Sequence, residues 1–284
     1  MIKKNWKLLT LLLVVCLGVL VGYRILADLR TDSKAPKIAI SDNGIPEISV
    51  YETDALLEGV TATDDRDGDV TDSIVVEKIG GITDDGTVTV TYAAFDASGN
   101  VAKVHRTVRY SDYESPRFTL SKSLDFVYGT NLNVLEAIGA EDLLDGDIGY
   151  RVKAMSLGSN SINSEGVHSV RFRVTNSLGD TVELVLPVEV HYSGRYNAQL
   201  NLTDYLVYLD AGQHFNPNAY LKEYIARGKA TSLSAGIPEE LTLKVEDQVD
   251  TATPGVYVVS YTVSSMVGNT LYDGYARLIV VVEE

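Results

Sequence analysis

Cysteine is almost missing from these 284 residues: Cys16 is the only one. It lies in an apolar run near the N-terminus, so the rest of the chain forms no internal disulfide. Small β-domains of about 80 residues are only modestly stable without a staple. Packing, contacts between neighbouring domains or bound metal must supply the remainder. Tryptophan is equally scarce, with Trp6 alone in the same N-terminal stretch, so a flat stacking platform for sugars would have to be built from tyrosine. The four histidines, His105, His168, His191 and His214, show no zinc-ligand spacing, and neither G-x-S-x-G nor a Gly-rich phosphate loop occurs. A triad can assemble across a fold, but nothing recommends an envelope hydrolase, and a non-catalytic chain is expected. Positive charge is the last scarcity: residues 31–284 carry 19 Lys+Arg against 38 Asp+Glu. A net charge of −19 there disfavours nucleic acid and bare teichoic acid as partners unless divalent cations intervene.

What is present begins with a membrane signal. Lys3, Lys4 and Lys7 precede the uncharged run Leu8 to Tyr23, which Arg24 closes. Sixteen helical residues span about 24 Å, short of a hydrocarbon core of roughly 30 Å. Trp6 and Tyr23 sit where interfacial aromatics belong, and the flanking cations can snorkel. The lysines orient residues 1–30 as a cytoplasmic tip and transmembrane anchor with everything else outside. The rival is a signal peptide cleaved after Ala27, which would put bulky Ile25 where a small residue is preferred. Lipidation at Cys16 would require a small residue where Val15 stands. The chain ends Leu278–Glu284 inside a strand pattern, with no sorting signal, so attachment is expected from the N-terminal end.

The ectodomain is organised by a spacing that recurs three times. A glycine, an alternating apolar run and a second glycine thirteen positions later appear at Gly86…Gly99, Gly166…Gly179 and Gly255…Gly268. Val90, Val170 and Val259 share one offset, followed two residues on by Tyr92, Phe172 and Tyr261. Period-two placement puts them on one face of a strand, and the glycine-containing turn leads into a second strand. The openings Pro36–Ile40 and Pro116–Leu120 lie eighty residues apart, with a looser echo at Ala198–Leu202. The expected organisation is all-β: three tandem Ig-like sandwiches at 36–111, 112–193 and 194–284, the third divergent. Linkers are expected near 111–115 and 193–197. Pro217 after Asn216 predicts a short helix over Asn216–Ala226 inserted in the third domain.

The first repeat carries A-T-D-D-R-D-G-D-V-T at 62–71, G-T-V-T-V-T-Y-A-A-F-D-A-S-G-N-V-A at 86–102 and R-T-V at 106–108. With its P-x-I opening it resembles bacterial Ig-like surface domains of the type first named from pesticidal crystal proteins, with hyalin-repeat domains as cousins. The resemblance covers nearly all of repeat one. Repeat two keeps D-G-D at 145–147 but has Asn176 where repeat one has Asp96, and repeat three keeps only the hairpin. It implies a seven-stranded sandwich and a non-catalytic, cell-surface role in Gram-positive-type bacteria.

Asp64, Asp65, Asp67 and Asp69, around Gly68, are the candidate calcium ligands. Clustered carboxylates repel unless neutralised, and calcium takes six to eight oxygens in irregular geometry. The loop is not an EF-hand, because the distal glutamate and the flanking helices are missing. The alternative is a plain turn in which Asp caps its own backbone and Gly takes positive φ. Asp96 and Asn100 carry the same choice between a metal or domain junction and an Asx turn. Arg106 shares the inward register of Val104 and Val108, where repeat two has Leu186; an edge strand with the guanidinium reaching a carboxylate is expected. Tyr205, Tyr208, Tyr220, Tyr224, Tyr257, Tyr261, Tyr272 and Tyr275 form either core and edge packing or a binding surface. These features predict a membrane-anchored adhesion or spacer protein meeting an extracellular protein or glycan, with recognition on the third domain. A calcium-stiffened stalk without its own ligand is the alternative.

Overall fold

The computed structural model describes residues 2–30, 32–41, 44–83, 85–130, 133–155, 162 and 164–284 and, within the N-terminal helix, the side chains of residues 6–25. The side chains of Lys3, Lys4 and Ala27, which bear on orientation and cleavage, lie outside the described residues. Two compact units divide the chain at the first expected linker, Met1–Tyr113 and Glu114–Glu284.

The first unit opens with helix α1, Ile2–Arg30. Its apolar span, Trp6–Ile25, has 20 residues and a mean hydropathy of 2.4, and none of it is covered by protein. Twenty helical residues rise about 30 Å, so the span is longer than the uncharged run alone and matches a hydrocarbon core. Seven strands follow: β1 Lys37–Ile40, β2 Glu47–Ile48, β3 Val60–Asp64, β4 Gly68–Asp69, β5 Val75–Ile79, β6 Thr87–Phe95 and β7 Val101–Tyr110. They form two sheets, ordered β1-β3-β4 and β2-β7-β6-β5. Alternation buries Val88, Val90, Tyr92 and Ala94 of β6 and Val60 and Ala62 of β3, all at most 4% exposed. The Tyr92 hydroxyl satisfies its buried oxygen by donating to the Leu56 carbonyl at 2.6 Å.

Arg106 does face inward, opposite Val90 in the β6–β7 ladder, and is 8% exposed. Backbone carbonyls are among its partners, which the sequence did not suggest. Nη1 donates to the carbonyls of Glu58 at 2.9 Å and Leu56 at 3.3 Å. The short helical turn at 53–57 leaves those acceptors beside β7, and the cation satisfies backbone that a leucine could not.

The second unit repeats the pairing scheme. Strands β8 Arg117–Leu120, β9 Asp125–Val127, β10 Ile138–Asp142, β11 Gly146–Asp147, β12 Lys153–Met155, β13 Gly166–Thr175 and β14 Thr181–His191 form sheets β11-β10-β8 and β12-β13-β14-β9. In both schemes the second strand joins the last one in parallel. The remaining strands are β15 Ala198–Leu202, β16 Leu206–Asp210, β17 Leu221–Ala226, β18 Lys229–Ser232, β19 Leu241–Asp247, β20 Gly255–Val267 and β21 Thr270–Glu283. Here β16 again pairs the last strand in parallel, but β15 also pairs β21, which merges both layers into one seven-stranded sheet. Apart from α1 and short helical turns, the chain is a tandem array of Ig-like β-sandwich elements.

Two expectations for the last segment fail. The predicted helix at Asn216–Ala226 is a single turn, Pro217–Tyr220, followed by β17. Asn216 does cap that turn, accepting from Asn218 N at 3.1 Å, but Leu221–Ala226 pairs with both β15 and β18, and ladder hydrogen bonds outweigh one capped turn. The third hairpin also closes differently. The first two share a five-residue loop, whereas β20 and β21 meet at a tight turn with Val267 opposite Thr270.

Residues 114–284 are locked internally. Ile279 of β21 lies in the core cluster of the β8–β14 sandwich with Phe118, Phe172 and Leu186, and Leu206 packs against the same cluster. Tyr196, in the second expected linker, stacks on Tyr275 with centroids 4.6 Å apart. Arg277, 5% exposed, places Nε 3.5 Å from Glu189 Oε2 and donates from Nη1 to the Pro187 carbonyl at 3.2 Å. The Tyr275 hydroxyl donates to the same Glu189 oxygen at 2.7 Å.

Candidate functional site

The acidic turn of the first unit is built backbone-first. Asp64 ends β3, and its Oδ1 accepts from the amides of Arg66 at 2.8 Å and Asp67 at 3.1 Å. Those two donors hold its carboxyl below the usual carboxylate range. Gly68 takes φ 76°, a conformation that costs glycine nothing, and the chain returns along β4. Asp67 Oδ2 accepts from Ala97 N at 2.8 Å, tying the turn to the β6–β7 loop. Asp69 Oδ1 accepts from Thr71 N at 3.0 Å, and Asp65 pairs with Lys34 Nζ on the surface. Of the four predicted ligands, Asp65, Asp67 and Asp69 therefore have partners of their own around the turn, and Asp64 alone reaches the point where further carboxylates gather.

Those carboxylates are Asp32 and Asp96. Ligand oxygens of Asp32, Asp64 and Asp96 all lie within 4.8 Å of one another, the one such convergence of three or more His, Cys, Asp or Glu side chains among the described residues. Asp96 is 8% exposed and Asp32 7%. Asp96 opens the β6–β7 loop, accepting from Asn100 N and Asn100 Nδ2, each at 2.7 Å. The same Nδ2 donates to the Asp32 carbonyl at 3.2 Å. Asp32 Oδ1 accepts from Lys34 N at 3.0 Å, while the buried Oδ2 has no hydrogen-bond partner among the described residues. Asp32 was not a sequence candidate. Its place four residues before Pro36 is matched eighty residues on by Asp112 before Pro116, a repeat position that by itself points to no ligand.

The second unit supplies a natural comparison. Asp142 Oδ1 accepts from Leu144 N and Asp145 N at 3.0 and 2.9 Å, and Asp145 Oδ2 accepts from Ser177 N at 2.7 Å. Those bonds reproduce the Asp64 and Asp67 turn. At the Asp96 position Asn176 donates from Nδ2 to Asp142 Oδ2 at 3.0 Å, so an amide donor fills the place of the anion. Asp112, the counterpart of Asp32, is used elsewhere, accepting from Ser49 Oγ at 2.6 Å and Val50 N at 2.9 Å. The D-G-D turn is thus a fold element in both units, and three facing carboxylates occur in the first.

Of the eight late tyrosines, two are core residues and six are half-buried. Tyr224 and Tyr261 are buried, with Tyr261 Oη donating to the Pro217 carbonyl at 2.8 Å. Tyr208 Oη lies 3.1 Å from Phe118 N, which donates to it, and burial raises its pKa to about 12. None of the eight late tyrosines is among the exposed aromatics, which outside the helix and among the described residues are Tyr51, Phe95, Tyr128, Tyr150 and Tyr192. His191 is buried 3.7 Å from Asp125, and His105 Nδ1 meets Thr91 Oγ1 at 3.0 Å.

Compared with known proteins, the chain matches no family profile and no curated protein sequence. Among solved structures it is similar to the protocadherin GammaB4 extracellular domain, at 12% identity and a TM-score of 0.20 over 89% of this chain and 50% of that one. Drosophila N-cadherin EC1-4 gives 12% and 0.21 over 75% and 66%. The Clostridium perfringens ZmpB structure holding CBM51-2 in complex with GlcNAc and INT domains gives 16% and 0.22 over 87% and 42%. The chain thus spans about half the length of the protocadherin structure. Strand pairing, not these likenesses, carries the fold assignment.

Proposed function

We propose that this chain is a single-pass membrane protein with residues 1–30 as its cytoplasmic tip and anchor. Its three Ig-like domains, 36–111, 112–193 and 194–284, stand outside the cell as a non-catalytic module. They contact an envelope protein or glycan, or set the distance to it. The carrying observation is the uncovered apolar helix: Trp6–Ile25 has no protein packed on it. An apolar surface of that size left in water far exceeds what soluble monomers tolerate, and lipid is the cover that its length fits. The bacterial surface domains that repeat one resembles point the same way. The locked 114–284 unit supports spacing, because a block with a shared core resists bending at its internal linker.

Membrane fractionation with an alkaline carbonate wash and intact-mass analysis tests the anchor. The expected protein stays with the membrane and retains residues 1–30. A soluble product beginning after Ala27 would overturn it. A second reading, a stalk stiffened by calcium and without its own ligand, draws on the acidic pocket of the first domain.

A further inference from the structure

We propose that Asp32, Asp64 and Asp96 form a calcium site that fastens the segment leaving α1 to the loop end of the first domain. The inference deepens the stalk reading, yet it rests on the first unit alone and holds whether or not the helix is retained. Two oxygens bound to one calcium at 2.3–2.6 Å lie at most about 5 Å apart, and the three carboxylates meet that limit. Convergence alone would not mark a site, since acidic side chains cluster freely in solvent. The second observation is Asp32 Oδ2, an ionisable oxygen in a residue 7% exposed, without a hydrogen-bond donor among the described residues. A buried carboxylate oxygen left unpaired is costly, and a cation shared with Asp64 and Asp96 removes that cost.

The donor set is hard oxygen throughout, which suits calcium over zinc. The Asp32 carbonyl sits beside Asn100 Nδ2, and a half-turn of that amide would present Asn100 Oδ1 as a further ligand, with water completing the shell. Lys34 is the nearby cation that could compete, but its ammonium is directed to Asp65. The second unit shows what the same frame looks like without a metal: Asn176 donates to Asp142, and the pocket is satisfied internally.

The test uses the full-length chain in detergent micelles. Calcium chloride is titrated by calorimetry to about 10 mM, well past the 10⁻⁴–10⁻³ M range of extracellular modules. Thermal unfolding is followed in calcium and in chelator at matched ionic strength. The expected result is one calcium per chain and an upward shift of one transition. Asp96→Asn and Asp32→Asn should each weaken binding at least about tenfold. Asp96→Asn copies the Asn176 arrangement and should melt in chelator no lower than the parent. Should Asp96→Asn fail to fold, Asp32→Asn decides, because Asp32 precedes every strand. Asp67→Ala, which loosens only the turn, should lower stability in both conditions and keep the calcium shift. Absence of heat and shift in the parent would overturn the site, as would undiminished calcium binding in the two Asn variants.

Discussion

Arg277→Met is the most informative change to the locked unit. The side chain is 6% exposed and its nearest anion, Glu189, 14%, so removing the guanidinium strands a carboxylate away from water. Breaking a buried pair from one side costs about 3–5 kcal/mol. Glu189 keeps the Tyr275 hydroxyl at 2.7 Å and Arg195 Nη1 at 3.7 Å, which places the expected loss at the low end, about 3 kcal/mol. For a unit of this size that lowers the melting temperature by about 6–12 °C. Met keeps most of the aliphatic stem, so packing loss is a minor part. Adding Glu189→Leu removes the stranded charge, and the double variant should return to within about 1 kcal/mol of the parent. Scanning calorimetry of the full chain reads all three. A single variant costing under about 0.5 kcal/mol, or a double variant costing the sum of both singles, would show that no coupled pair holds β14 to β21.

Gly274→Ala tests the seam between the two layers of the last segment. A Cβ there would stand 3.1 Å from the Gln199 backbone and from Tyr224 Cδ2, so β15 must move off β21; a loss of about 1–3 kcal/mol is expected in urea unfolding. Alkaline titration tests the buried tyrosines. Burial raises Tyr208 to about 12, and Tyr261 and Tyr275 rise for the same cause. These groups stay protonated in the folded chain after they ionise in the unfolded one. Their stabilisation is complete below pH 10 and falls as the pH rises from about 10 toward 12. Tyr208→Phe should make stability less steep across that window; an unchanged slope would remove Tyr208 from the account.

The hairpins and inward faces of the first two repeats were legible because strand alternation is local: Val90, Tyr92 and Phe172 are buried where period two puts them. So was the D-G-D turn, whose glycines Gly68 and Gly146 take positive φ. Asp32 was hidden because a site assembled from a linker, a strand end and a hairpin loop leaves no contiguous motif. Arg106 stood out in the sequence as the odd residue of an inward register, but the carbonyls of Leu56 and Glu58 beside it come from a distant turn that no local pattern shows. Capping at Asn216 was read correctly, yet the strands that claim Leu221–Ala226 lie at 198–202 and 229–232, too distant for a local pattern to reveal. Ile279 and Arg277 looked like ordinary strand residues, although both reach into the neighbouring sandwich. Deleting residues 194–284 would therefore uncover the core of the β8–β14 sandwich, and point substitutions are the better probe of the recognition proposed for those residues.

Display outside the membrane is the central claim, and a single engineered thiol tests it. Ser234 is exposed between β18 and β19, and the native Cys16 lies within the apolar span. The Ser234→Cys chain, expressed in intact cells, is treated with a membrane-impermeant maleimide. Labelling of intact cells, at the level reached after lysis, is the predicted result. Labelling that appears only on lysis would place the domains on the inner side and contradict the account.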